Sequence, residues 1–253
     1  MYPPSYQNNT VETEIQTDPY VKIYGLRFSY GYQFDVIKKM VGAQAKILDY
    51  GCGTGHFIVN AVHYGFLCDG AEFSAEYIKN LKKNIPVSNF YLIDDIVEGR
   101  VTEKYDVVRL SNVLEHIADP KQIIECLKCR LTANGILIIE GPIEDNFSIA
   151  ELFRKLYFSV SKWIAPDRTV SAPPYHIFFS NAKNQREFFK TCGFEETHFN
   201  TAEDAWPFPE SIKMAKTPKD KIMAAIATLS KKVTKAVGKN WGNIFIYCGK
   251  VSR

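Results

Sequence analysis

Between residues 45 and 142 the chain alternates short, nearly continuous apolar runs with longer stretches of helical period. "KILDY" reads as a strand, and "HFIVNAVHYG" as a helix ended by Gly65. "FLCDGAE" is a second strand, followed by the helix "SAEYIKNLKKN" with Ser74 as N-cap and Tyr77 in its first turn. "NFYLID" and "YDVVRLS" give the third and fourth strands. "DPKQIIECLKCRL" is a helix with Asp119 at its cap and Pro120 at its first position, and "GILIIEG" is the fifth strand. Strands without polar alternation imply a sheet covered on both faces. Their regular alternation with helices predicts an α/β fold, a Rossmann-like doubly wound sheet.

Outside this block the rhythm changes. Residues 1–40 read as a loose polar arm followed by cap helices, with Tyr24, Phe28, Tyr32, Phe34, Val36 and Ile37 spaced to cover a core. Residues 41–253 form the main domain. It carries an insertion at 143–181, holding the helix "IAELFRKLYFSVSKWI" and the rigid "SAPPYHIFFS". "NAKNQREFFKTCG" is a helix and "FEETHF" a sixth strand. A second insertion, 202–240, has a helix with apolar residues at Ile222, Ile226, Leu229, Val233 and Val237, ended by Gly238. "GNIFIYCGKV" is a seventh, antiparallel strand.

The glycine loop "ILDYGCGTGHF" opens the chemistry. Gly51, Gly53 and Gly55 give GxGxG, and His56 stands where the dinucleotide fingerprint needs its third glycine. Asp49 is a carboxylate at the end of an apolar strand, costly to bury unpartnered and repulsive to a pyrophosphate. It suits an ammonium-bearing ligand or the loop's own amides. Glu72, ending the second strand, can accept from ribose hydroxyls.

Taken in order, "ILDYGCGTG", "GAEFS", "LIDDI", "YDVVRLSNVLEHIADP" and "LTANGILIIEGP" resemble the successive motifs of class I S-adenosylmethionine-dependent methyltransferases. The nearest likeness is to the small-molecule branch of quinone and sugar O-methyltransferases. It covers residues 45–142 well and 175–200 weakly. The resemblance implies a loop Gly51–Cys52–Gly53 against the methionine part of S-adenosylmethionine, with Asp49 holding its amino group. It implies Glu72 on the ribose, Phe73 flanking adenine, and Asp95 or its neighbour Asp94 on the adenine amino group, with Ile96 against the ring. Ser111 and Asn112 would line the floor beneath the sulfonium.

Methyl transfer to oxygen needs a proton removed. His116, in "NVLEHIADP" just past the fourth strand, and His176, delivered over the pocket by the first insertion, are the candidate bases; each also has a structural reading. No metal-ligand spacing is evident, so no metal is expected. A small-molecule acceptor follows: a sugar, nucleotide sugar, lipid-linked glycan or quinone-like ring. The aromatics Tyr157, Phe158, Trp163, Tyr175, Phe178 and Phe179 suit a cyclic acceptor or simply a core. Oxygen methylation is the first expectation; nitrogen and carbon stay open.

Charge adds one feature. The net charge is only +3, yet residues 211–253 hold ten Lys and Arg against the single acid Asp220. That segment, and 211–240 above all, reads as a solvated face, a peripheral membrane contact or a grip on a phosphate-bearing substrate. Six scattered cysteines, no secretion signal and no membrane-length apolar run point to the cytoplasm or its inner membrane surface. The "CLKC" pair reads as two residues of a helix face. A nicotinamide-dependent oxidoreductase is disfavoured by the GxGxG spacing and by Asp49, and a non-catalytic cofactor-binding protein by the intact loop. "SNVLEH" after the fourth strand weighs against methylation of nucleic-acid base amino groups. The oligomeric state is not legible.

Overall fold

The computed structural model describes residues 30–164, 176–177, 180–203, 212–237 and 241–252. Tyr24, Phe28, Tyr175, Phe178, Phe179 and Gly238, and the side chains of Tyr157 and Phe158, lie outside the described residues. Seven strands form one sheet: β1 (Lys46–Tyr50), β2 (Leu67–Glu72), β3 (Phe90–Leu92), β4 (Tyr105–Ser111), β5 (Leu131–Pro142), β6 (Phe194–Ala202) and β7 (Ile244–Val251). Their order is β3-β2-β1-β4-β5-β7-β6, with β1 to β5 parallel and β7 antiparallel to both neighbours. This is the doubly wound fold the strand–helix alternation predicts.

Alternate residues of each strand face opposite sides, which splits the core in two. Ile47, Val107, Ile136 and Ile138 face α1 (Tyr30–Val41), α2 (His56–His63) and α3 (Ala75–Asn84). Leu48, Tyr50, Val108, Leu110, Leu137 and Ile139 face α4 (Ile93–Val97), α5 (Pro120–Lys128) and α7 (Ala182–Thr191). Both helix caps read from the sequence form: Ser74 accepts from Tyr77 N and Asp119 from Gln122 N. Cys126 donates to the Ile96 carbonyl from the flank of α5, and all six cysteines are free.

Three local readings are corrected. "NFYLID" does not stay extended, because the Asp95 carboxylate accepts from Leu92 N and turns the chain into α4 after three strand residues. β5 begins at Leu131 rather than Gly135, since Tyr105 N on β4 already bonds the Arg130 carbonyl. The third correction is in the second insertion. The helix there, α8 (Pro218–Val237), buries Ala224, Ala227, Ser230 and Thr234, while Ile222, Leu229 and Val237 of the expected apolar stripe are exposed. Buried Glu203 accepts from Ser230 Oγ and Thr234 Oγ1, and Ala150 N of α6 (Ile149–Ile164) donates to Ser230 Oγ. Hydrogen bonds and small side chains, not bulk, decide which face of α8 packs.

α1 docks through Phe34, fully buried and 5.3–5.4 Å from the rings of Phe57, Tyr64 and Phe66. Replacing it by alanine empties a site with little room to collapse. Phe34→Ala is expected to cost about 3–5 kcal/mol, and exposed Lys39→Ala less than about 0.5 kcal/mol. Urea unfolding of the two variants measures the difference.

Candidate active site

The glycine loop is pinned to the end of β2 by two amides, Gly51 N and Cys52 N, which both donate to the Ala71 carbonyl at 2.8 and 3.0 Å. Gly51 has φ 79°, and a Cβ there would sit 2.4 Å from Val113 Cγ2. Gly53 has φ 54° and nothing within 4 Å of where a Cβ would stand, so its backbone faces open space. A ligand can approach the chain there. Glu72 borders that space: its Oε2 accepts from Gly53 N and its Oε1 from Phe73 N, both at 2.9 Å. A carboxylate has about four acceptor positions, so two loop amides orient it and leave capacity for hydroxyls. The Phe73 side chain beside it is 65% exposed.

Asp49 has a partner that sequence reasoning missed. Arg109 lies directly across on β4 and donates to Asp49 Oδ1 at 2.6 Å, with both side chains buried. Arg109 Nε donates to Gln33 Oε1 on α1, and Gln33 Nε2 donates to Glu140 Oε2 on β5. The guanidinium also stacks 3.9 Å over the Phe57 ring. Burial pushes the Asp49 carboxyl above its ordinary range, while Arg109 pulls it back. Burial opposes the Arg109 charge, but Asp49 and Glu140 together outweigh it and hold its pKa high. The pair is charged, because arginine keeps its proton and needs the counter-ion. Asp49 and Glu140 are both buried beside this one cation. The signal was present in the sequence: Arg109 and Glu140 are charges inside otherwise apolar runs.

The end of β4 supplies the floor. Ser111 Oγ donates to Glu140 Oε2 at 3.3 Å. Asn112 is the only described non-glycine residue with positive φ, 54°, and its buried Oδ1 has no hydrogen-bond partner. A strained asparagine with an unused acceptor fits a site for a cationic or donor-bearing ligand. Beyond it, a 3-10 turn, Leu114–His116, buries Glu115 and leaves His116 half-buried.

His176 comes to this turn from the first insertion. Ile177 N donates to the Glu115 carbonyl, and the His116 and His176 rings meet edge to face at 5.2 Å. His176 Nδ1 is hydrogen-bonded to Glu144 Oε1, a residue not singled out from the sequence. A grouping that sequence spacing does not reveal is formed by the fold. Glu115, His116 and His176 each place a ligand atom within 4.8 Å of the others, a grouping made by the fold across 60 residues.

The adenine-side readings change. Asp95 is engaged on both oxygens, with Leu92 N and with Arg100 Nε at 2.7 Å, whereas Asp94 is exposed. Arg100 holds the Asp95 carboxyl below its ordinary value. Ile96 does not face a ligand: its side chain is fully buried in the α4–α5 core, so only its backbone is available. His56 starts α2 as expected, with its pKa lowered by burial. Of the aromatics expected over the acceptor, Trp163 is 85% exposed on α6. A separate open hollow of about 920 Å³, lined by Asp145, Arg186, Lys190, Glu196 and Tyr247, includes no residue of the glycine loop.

Comparison with known proteins agrees with this geometry. A methyltransferase-domain family matches residues 28–198. The chain is 27% identical over 106 residues to the ubiquinone biosynthesis O-methyltransferase of Pasteurella multocida, covering 36% of this chain and 44% of that protein. It is 23% identical over 174 residues to a tRNA U34 carboxymethyltransferase of Campylobacter jejuni, covering 65% and 55%. The chain thus spans less than half the length of the first curated relatives it matches. Among solved structures, a chain from the complex of the Haloferax volcanii Trm112 methyltransferase activator with a methyltransferase superposes with a TM-score of 0.59 at 13% identity. It covers 88% of this chain and 89% of that one. A Rossmann-like sheet with an antiparallel last strand and an acid–glycine loop defines a class of group-transfer enzymes. The chain belongs to the class I S-adenosylmethionine-dependent methyltransferases.

Removing the cation of the buried cluster strands its carboxylates. Arg109→Met is expected to cost about 3–5 kcal/mol. Without Arg109 the folded state holds buried Asp49 at a raised pKa and binds more protons than the unfolded chain. The variant therefore loses stability as pH rises from about 5 to about 8, a slope that urea unfolding at several pH values reads directly.

Proposed function

We propose that this methyltransferase acts on an oxygen of a small cyclic acceptor, a sugar, nucleotide sugar, lipid-linked glycan or quinone-like ring, with His176 as base. The observation that carries the reading is the His116–His176–Glu144 arrangement at the carboxyl edge of β4. That edge is where α/β sheets bind ligands. Glu144 on Nδ1 fixes the imidazole with its proton on that nitrogen and leaves Nε2 to accept one. His116, against the face of this ring, limits its rotation and shares the acceptor's hydroxyl.

S-adenosylmethionine, when bound, supplies the methyl group as an electrophile on a sulfonium. The chain's residues fit it: the Gly51–Cys52–Gly53 loop and Asp49 toward the methionine part, Glu72 toward the ribose and Phe73 toward the adenine. Asp95, or its exposed neighbour Asp94, is the acid for the adenine amino group; the bonds Asp95 makes to Leu92 and Arg100 leave acceptor positions on its carboxylate. Ser111 and Asn112 form the floor, and the unpartnered Asn112 Oδ1 favours a cationic or donor-bearing ligand. The name of the Pasteurella relative supports an oxygen acceptor. The unpaired cysteines support a reducing, cytoplasmic setting.

The Glu115–His116–His176 grouping favours a second form of the same step. A divalent cation on those three residues would bind the acceptor's oxygen and lower its pKa, making the histidines ligands instead of bases. Metal dependence separates the two forms.

Calorimetric titration with S-adenosylhomocysteine is expected to show binding, weakened about tenfold or more in Glu72→Gln, which loses acceptor strength toward hydroxyls. Turnover on catechols and nucleotide sugars, read as S-adenosylhomocysteine release, should fall about 10²–10⁴-fold in His176→Ala and less in Glu144→Gln, with homocysteine-adduct binding retained. Full turnover in both His116→Ala and His176→Ala would sink the base assignment. Loss of activity with EDTA, restored by Mg²⁺ or Mn²⁺, would replace the base by the metal.

A further inference from the structure

α8 and α6 pack against each other and leave their large apolar side chains outside. On α6, Leu152, Leu156, Val160 and Trp163 recur at i, i+4, i+8 and i+11, one helical stripe. They are 67%, 59%, 46% and 85% exposed. On α8, Ile222 and Leu229, seven residues apart, are 62% and 51% exposed, while the buried side is Ala224, Ala227, Ser230 and Thr234. A helix of a globular domain ordinarily buries its apolar stripe. α8 does the reverse, burying alanines and hydroxyls and exposing isoleucine and leucine, and beside it α6 exposes leucines, a valine and a tryptophan among its described side chains.

The exposed charge beside these stripes is mostly basic, with Asp220 in the first turn of α8 and largely buried Glu151 in that of α6 as the acids on the two helices. Lys221 and Lys232 flank the α8 stripe in sequence and are exposed, as is Lys162 next to Trp163. In the whole segment 211–253 only Asp220 opposes ten bases. A second copy of the chain docking face to face would bring like charges together. No described helix is long and apolar enough to cross a membrane. An apolar stripe bordered by lysines, with an exposed tryptophan, is the pattern of a helix lying in a lipid interface.

We infer that α6 and α8 form a docking face for an anionic lipid surface, the apolar stripes entering the headgroup–acyl boundary and the lysines meeting lipid phosphates. This interaction is independent of the chemistry at the glycine loop and would carry the enzyme to an acceptor held at a membrane.

The test is co-sedimentation of the full chain with vesicles of phosphatidylglycerol and phosphatidylcholine against phosphatidylcholine alone. Binding to the anionic vesicles is expected to be about tenfold stronger and to weaken with added salt. Leu156→Glu/Trp163→Glu, at exposed positions, should lower it about tenfold or more with S-adenosylhomocysteine binding unchanged. Lys221→Glu/Lys232→Glu should remove most of the salt-dependent part. No binding at low salt, or undiminished binding by the Leu156→Glu/Trp163→Glu variant, overturns the proposal. So does sedimentation velocity showing a dimer that this variant dissociates, which would make the face a self-association surface.

Discussion

Everything at the carboxyl end of this sheet depends on one ion pair placed where water is absent. Asp49 and Arg109 face each other across β1 and β4 at 2.6 Å, and neither could be buried alone. The guanidinium then sets three further positions: Gln33 on α1, Glu140 on β5 through that glutamine, and the Phe57 ring beneath its plane. Five elements, β1, β4, α1, β5 and α2, are thereby held together at the level of the glycine loop. A hydrophobic substitute could fill the volume, but it could not specify which residues meet.

Around that centre the rest of the site is arranged by backbone groups. Ala71's carbonyl fixes the loop, Glu72 is aimed by two amides, and Asn112 is driven into positive φ while bonding the Glu140 carbonyl. Such groups need little rearrangement when a ligand arrives, which favours positioning as the source of rate. The two histidines are organised differently. One belongs to the sheet's own edge and the other to the insertion, joined by a single described backbone bond from Ile177 to Glu115. On the proposed reading, donor binding and acceptor handling rest on separate pieces of the chain.

The sheet was legible because its strands are uninterrupted apolar runs, and the loop because Asp49, Gly51, Gly53 and Glu72 are close in sequence. Arg109, Gln33 and Glu140 were not assembled into a network, since the bonds that join them to one another and to Asp49 span 60 to 107 residues and pattern reading is local. A charge inside an apolar strand still announces that a partner exists. Ile96 was misread for a related reason: its neighbour Asp95 turns the chain into a helix and rotates the side chain into the core. On α8, periodicity found the apolar side but could not tell that buried Glu203 would claim the opposite one.

The position of β7 has a consequence for the chain's birth. β7 lies between β5 and β6, yet it is synthesised after both, about a hundred residues beyond the end of β5. At roughly 5–20 residues per second, β5 waits about 5–20 s for that neighbour. During that interval the strand holding Ile136, Leu137, Ile138 and Ile139 is an open edge in a half-built sheet. The nascent chain is most prone to aggregate in the interval before β7 emerges, and holding chaperones would matter most in those seconds.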